Sequence, residues 1–99
     1  MAAYFIAQYV VKDPKLYREY QAGAAPTIQA GGGELVAFDV AAETIEGTPP
    51  GPQTVIVKFE SADAAKAWYK SPGYQAVVGK RLASTKGFAV IAQSMNMRP

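Results

Sequence analysis

The sequence predicts an α+β domain in which helices cover one face of a four-stranded antiparallel sheet. Four short stretches are rich in aromatic and β-branched residues, the composition of strands. Two longer stretches start at polar caps and repeat apolar residues at helical spacing. The resulting order is βαββαβ, the ferredoxin-like pattern, read as a single domain over residues 1–99. The strands are also apolar on both faces, which two helices cannot cover.

Ala3 to Val11 forms the first expected strand. Asp13 is placed to cap a helix, with Pro14 at its first position, where the missing N–H does no harm. Leu16, Tyr17, Tyr20 and Ala24 follow at helical spacing. Pro26 is expected to interrupt or restart this helix, and Gly31 to Gly33 to end it. A second strand is expected from Glu34 to Ala42, a loop from Glu46 to Gln53, and a third strand from Thr54 to Phe59.

Ser61 suits the N-cap of the second helical region, and Asp63 the positive end of its dipole. Ala64, Ala65 and Trp68 share a face there. The Ser71-Pro72 step breaks the helix, and Tyr74, Val77, Val78 and Leu82 continue the apolar stripe. Tyr69 is out of phase and expected to be more exposed. Gly87 opens the last strand, Phe88 to Gln93.

In strand one, Tyr4, Ile6 and Val10 oppose Phe5, Ala7, Tyr9 and Val11. In strand two, Val36, Phe38 and Val40 oppose Leu35, Ala37 and Ala41, and in the last strand Phe88, Val90 and Ala92 oppose Ala89 and Ile91. A sheet with one wet face alternates apolar and polar residues. A wet apolar face invites aggregation, and burying one contributes roughly 25 cal/mol per Å². A second copy packed sheet against sheet is the economical cover, so a homodimer is expected.

The chain has no cysteine and no histidine. That removes disulfides, thiolate nucleophiles, cysteine-zinc sites, Ser-His-Asp chemistry and the usual general base near neutral pH. Neither a metal nor a cofactor is expected. Ten basic and eight acidic residues are scattered without like-charge runs, so no nucleic-acid or membrane partner is expected. The apolar start lacks a basic n-region, and no segment is long enough to span a bilayer; a cytoplasmic location is expected.

Lys86-Gly87-Phe88-Ala89 matches the start of an RNA-recognition signature, but Val90 and Gln93 replace the stacking aromatics and the match lies on the wrong strand. The triple glycine follows a helix instead of preceding one, so it reads as a turn, not a phosphate cradle. Gln8, Asp39, Lys58 and Gln93 interrupt apolar strands and are to be paired, exposed or functional. Arg81 reads either as a solvated surface arginine or as an anion holder, paired with a ligand, Glu46 or Asp39. Tyr17 and Tyr20 share a helix face, and their hydroxyls need partners.

Asp13 to Tyr20 ("DPKLYREY"), Glu46-Gly47, and Trp68 to Gln75 ("WYKSPGYQ"), with Arg81 beyond, resemble the family known as domain of unknown function number 1330. The resemblance covers essentially the full chain. It implies a ferredoxin-like subunit of the dimeric α+β barrel superfamily, in which two sheets pack face to face, and it supplies no activity. Superfamily relatives include cofactor-independent monooxygenases, muconolactone isomerases and haem enzymes; the haem branch uses an axial histidine that this chain lacks. Relatives often carry an arginine where Phe38 stands here, which puts anion binding at that position in doubt.

Two functions are left open. One is a non-catalytic dimer that binds a small molecule or a protein partner. The other is a cofactor-independent enzyme, an isomerase or a monooxygenase, with Tyr17, Trp68 and Tyr74 as apolar walls, Arg81 holding an anionic group, and Asp39 or Glu46 moving a proton. The site residues expected are therefore Tyr17, Phe38, Asp39, Glu46, Trp68, Tyr74 and Arg81.

Overall fold

The computed structural model describes residues 1–95. Its elements are β1 (Ala3–Val11), α1 (Pro14–Ala30), β2 (Glu34–Asp39), β3 (Gln53–Phe59), α2 (Ala62–Lys70), α3 (Pro72–Ser84) and β4 (Thr85–Gln93). The strands form one antiparallel sheet in the order β2-β3-β1-β4. This is the ferredoxin-like α+β arrangement.

The three caps read from sequence all form. Asp13 accepts from the Leu16 amide, Ser61 from Ala64 and Ser71 from Tyr74. Each satisfies an N–H that a helix start otherwise leaves without a partner. Ser71 therefore closes α2 and opens α3, splitting the second helical region in two.

Pro26 does not interrupt α1, which runs unbroken to Ala30. Pro26 and Ala22, four residues earlier, are both exposed, so the carbonyl that loses its N–H partner lies on a wet side of the helix. The glycines then turn the chain. Gly31 donates to the Thr27 carbonyl, Gly32 to Gln29 and Gly33 to Ile28, and Gly32 takes a φ of 78°. All three amides are consumed, leaving none to hold a phosphate.

β2 stops at Asp39 because its carboxylate accepts from the Ala41 amide and turns the chain. A register shift between Leu35 and Ala37 puts Leu35 and Phe38 on the helix side of the sheet, not opposite one another as strict alternation implies. β4 begins at Thr85, ahead of Gly87. Gly87 faces Tyr9, and a Cβ there would fall 2.1 Å from the Gln8 carbonyl oxygen and 2.6 Å from the Tyr9 Cβ. Glycine is what lets the two strands pair at that point.

The core lies between the sheet and the helices, built on Phe5, Ala7 and Tyr9 of β1, Val57 and Phe59 of β3, and Tyr17, Tyr20, Trp68, Tyr74 and Val78 of the helices. Trp68 packs edge-on to Phe5 at 5.1 Å and lies 4.1 Å from Tyr74, ring centre to ring centre. Its indole N–H donates to Thr27 Oγ1 at 3.1 Å, tying α2 to α1. Tyr69 is half-buried against Tyr74 and Phe5, less exposed than its phase suggests.

The buried stripe of α3 runs Tyr74, Val78, Arg81. Leu82, expected to continue it, is 60% exposed. It is one residue out of step, and a helix turns about 100° per residue.

Candidate functional site

A cavity of about 130 Å³ opens between α1 and the sheet. Phe5 and Tyr9 of β1, Val55 and Val57 of β3, Leu35 and Phe38 of β2, Trp68, and the Tyr17, Tyr20, Gln21 and Ala24 face of α1 border it. Its position follows from the topology: β2 is an edge strand that the helices leave uncovered, and Leu35 and Phe38 stay 55% and 44% exposed. A neighbouring groove shares Tyr17, Gln21 and Phe38 and continues outward past Arg18, Val40 and Gln53.

Behind the apolar wall lies a buried phenolic cluster. The Tyr9 and Tyr17 hydroxyls are 2.7 Å apart, and the Gln53 side-chain amide donates to Tyr17 at 2.8 Å. The Tyr20 and Tyr74 hydroxyls form a second pair at 2.8 Å. Burial pushes the Tyr9 and Tyr20 hydroxyls well above the ordinary tyrosine range, with the partner tyrosine adding to the shift. Burial also raises Tyr17, partly offset by its hydrogen bonds with Tyr9 and Gln53. All three are neutral at physiological pH.

Arg81, 5% exposed, reaches this cluster from the last turn of α3, its guanidinium carbon 5.8 Å from the centre of the Tyr9 ring. Burial works against the charge, but Tyr74 and Tyr20 outweigh it and leave the arginine pKa raised. The carbonyl end of α3 also favours a cation. Among the described residues its Nε–H has no acceptor, and no carboxylate forms an ion pair with it.

Of the residues expected from sequence, Tyr17, Phe38 and Trp68 border the cavity. Tyr74 and Arg81 sit behind that wall, joined to it through Tyr20 and Tyr9. Asp39 and Glu46 do not reach it. Asp39 pairs with Thr54 across the sheet, one residue beyond Phe38 and so on the opposite face, and is held in its turn. Glu46 is exposed in the segment between β2 and β3. Arg81 is thus neither the solvated arginine nor the partner of Glu46 or Asp39 that its sequence position suggests.

Two polar participants were not singled out from sequence. Tyr9 lies on the same strand face as Phe5 and Ala7, which marked it only as core. Gln53 looked like the end of a loop, yet it opens β3 in phase with Val55 and Val57, and that phase was the available signal. Of the polar residues within strands, Gln8 donates to Thr54 at 3.2 Å, and Lys58 and Gln93 are exposed. Among the described residues no group of His, Cys, Asp or Glu could hold a metal, and no helix is long and apolar enough to cross a membrane.

The family model "Domain of unknown function (DUF1330)" matches residues 2–95. The chain belongs to this family. No protein with a curated description matches it. Among solved structures it is similar to the RPA0582 protein of unknown function from Rhodopseudomonas palustris, with a TM-score of 0.79, 14% identity, and coverage of 96% of this chain and 83% of that one. It is also similar to SnoaB, a cofactor-independent oxygenase from Streptomyces nogalater, with a TM-score of 0.69, 15% identity, and coverage of 99% and 97%. At such identities the DUF1330 chain shares a ferredoxin-like fold with these proteins, and the fold carries no activity with it.

Proposed function

We propose that this DUF1330 protein is a cytoplasmic homodimer that binds a small, largely apolar molecule in the cavity between α1 and the sheet. The cavity carries the reading. Its roughly 130 Å³ is walled by aromatic and aliphatic side chains, with a few polar groups among them, as small-molecule sites usually are. An apolar cavity of roughly 150 Å³ holds benzene, so one ring or its aliphatic equivalent sets the size of the buried part. The uncovered sheet face supports the dimer, and the absence of cysteine is compatible with a reducing compartment.

A cofactor-independent enzyme is the alternative, favoured by the resemblance of fold to SnoaB. Isomerisation or oxygenation of an enolisable compound needs a base within hydrogen-bonding reach of the substrate. Among the described residues no carboxylate borders the cavity, and burial keeps its tyrosines protonated. Binding without turnover is therefore the better-supported reading.

Toluene titrated into ¹⁵N-labelled protein is expected to shift amide resonances of Phe5, Ala24, Val57 and Trp68. Ala24→Leu, which fills the cavity from α1, is expected to abolish those shifts while the spectrum stays folded. An unperturbed wild-type spectrum at millimolar toluene would sink the reading.

A further inference from the structure

The hydrogen bonds of the buried cluster do not close. In the Tyr9–Tyr17 pair one hydroxyl donates and the other accepts, whichever way round, and Gln53 adds a second donor to Tyr17. One phenolic proton of that pair is left without an acceptor among the described residues. The Tyr20–Tyr74 pair leaves another in the same way. Arg81 Nε–H is a third, on a side chain 5% exposed. Buried donors are almost always matched, so three unmatched ones within a single contiguous cluster need an explanation.

The charges are as one-sided as the donors. Arg81 brings a positive charge beside Tyr9, and the tyrosines, held neutral by burial, cannot balance it. Among the described residues no Asp or Glu borders the cavity or the groove that continues it, whereas Arg18 borders that groove. Tyr9, Tyr17 and Tyr20 belong both to the cluster and to the cavity wall. What the site lacks is an acceptor bearing negative charge, placed beside those hydroxyls.

We propose that the ligand is an apolar molecule ending in an oxyanion, a carboxylate in the simplest case, which accepts the spare Tyr17 and Tyr20 protons under the field of Arg81. This rests on the small-molecule reading above and adds the class of molecule. Hydrogen bonds to a charged acceptor are about twice as strong as neutral ones. An anion held by neutral phenols and a buried cation also avoids the wet side of the protein. Arg81 acts through the tyrosines as a positioning and electrostatic group and need not touch the ligand.

Benzoate, benzamide and toluene separate the two readings, because the three share a ring and differ in charge and acceptors. At pH 7 benzoate is expected to bind at least about tenfold more tightly than either neutral probe, as followed by ¹⁵N amide shifts. Tyr17→Phe and Arg81→Met should each erase most of that preference for benzoate over toluene. Two variants keep the result readable if one of them folds poorly. Toluene binding as tightly as benzoate to the wild type overturns the anion assignment and leaves the cavity reading intact. Failure of all three probes to bind overturns both.

Discussion

Arg81 stands where the α3 stripe begun by Tyr74 and Val78 would ordinarily place an apolar side chain. A guanidinium buried with no carboxylate partner among the described residues is a liability to the empty protein, since burial works against its charge and no counter-ion balances it. Arg81→Met keeps an unbranched, flexible side chain about as long as the arginine stem and removes the charged head. It is expected to stabilise the ligand-free protein by about 1 kcal/mol, since replacing buried ionic groups by apolar ones often stabilises. In a domain of this size that is a rise of about 4–8 °C in Tm, read by calorimetry. A fall in Tm would mean that the guanidinium holds the tyrosine rings together and is structural. Sequence could mark Arg81 as unusual, but helical phase alone could not choose between surface and core. Leu82, one position on, was the more natural occupant of the stripe.

For the helices, local chemistry was the better guide to where they begin than to where they continue. Asp13, Ser61 and Ser71 could be read as caps because a cap is a contact within three residues. Pro26 was misleading because its effect depends on which side of α1 it occupies. On the exposed side the lost hydrogen bond is tolerated, and it remains a penalty. Pro26→Ala restores the N–H donor and is expected to stabilise the protein by about 1–2 kcal/mol, less than the ~3 kcal/mol propensity gap because proline also restricts the unfolded chain. The measurement is the urea midpoint at unchanged slope. An unchanged or lower midpoint would show that α1 depends on the proline for its shape. In β2 the same lesson recurs. Its apolar content was evident, while the register shift that aims both Leu35 and Phe38 at the cavity is set by pairing with β3.

The described chain is a two-layer body, 46 × 36 × 16 Å across its backbone, with helices on one side of the sheet only. The other face carries Tyr4, Ile6 and Val10 of β1, Ile56 of β3 and Phe88 and Val90 of β4, with Ile56, Ile6 and Val90 side by side across three strands. Phe88 and Val90 are 48% and 49% exposed in a single copy. A contiguous apolar face of this kind is suited to an isologous interface, sheet on sheet. The chain is expected to sediment as a dimer at low micromolar concentration. Val90→Glu, which sets like charges against each other across the two-fold axis, is expected to shift it to monomer. A wild-type monomer in analytical ultracentrifugation would refute the dimer. Because the cavity opens on the helix side of the sheet, probe binding in the Val90→Glu monomer would also tell whether the site is complete within one subunit.

The sequence by itself determined the order of elements, the helix starts, the two-sided apolar strands and the motifs that mark the family. Each of these is a matter of neighbours along the chain, or of spacing at two or 3.6 residues, and both survive without knowledge of the fold. The tertiary structure alone decided which of those residues meet. It brought Tyr9, Tyr17 and Gln53 into one hydrogen-bonded group and Tyr20 and Tyr74 into another, packed together beside a buried Arg81, and it turned Asp39 and Glu46 away. The Tyr20–Tyr74 pair spans 54 positions of chain and the Tyr17–Gln53 pair 36. No local periodicity encodes such separations. They are set by how the sheet registers its strands and by which turn of each helix faces it.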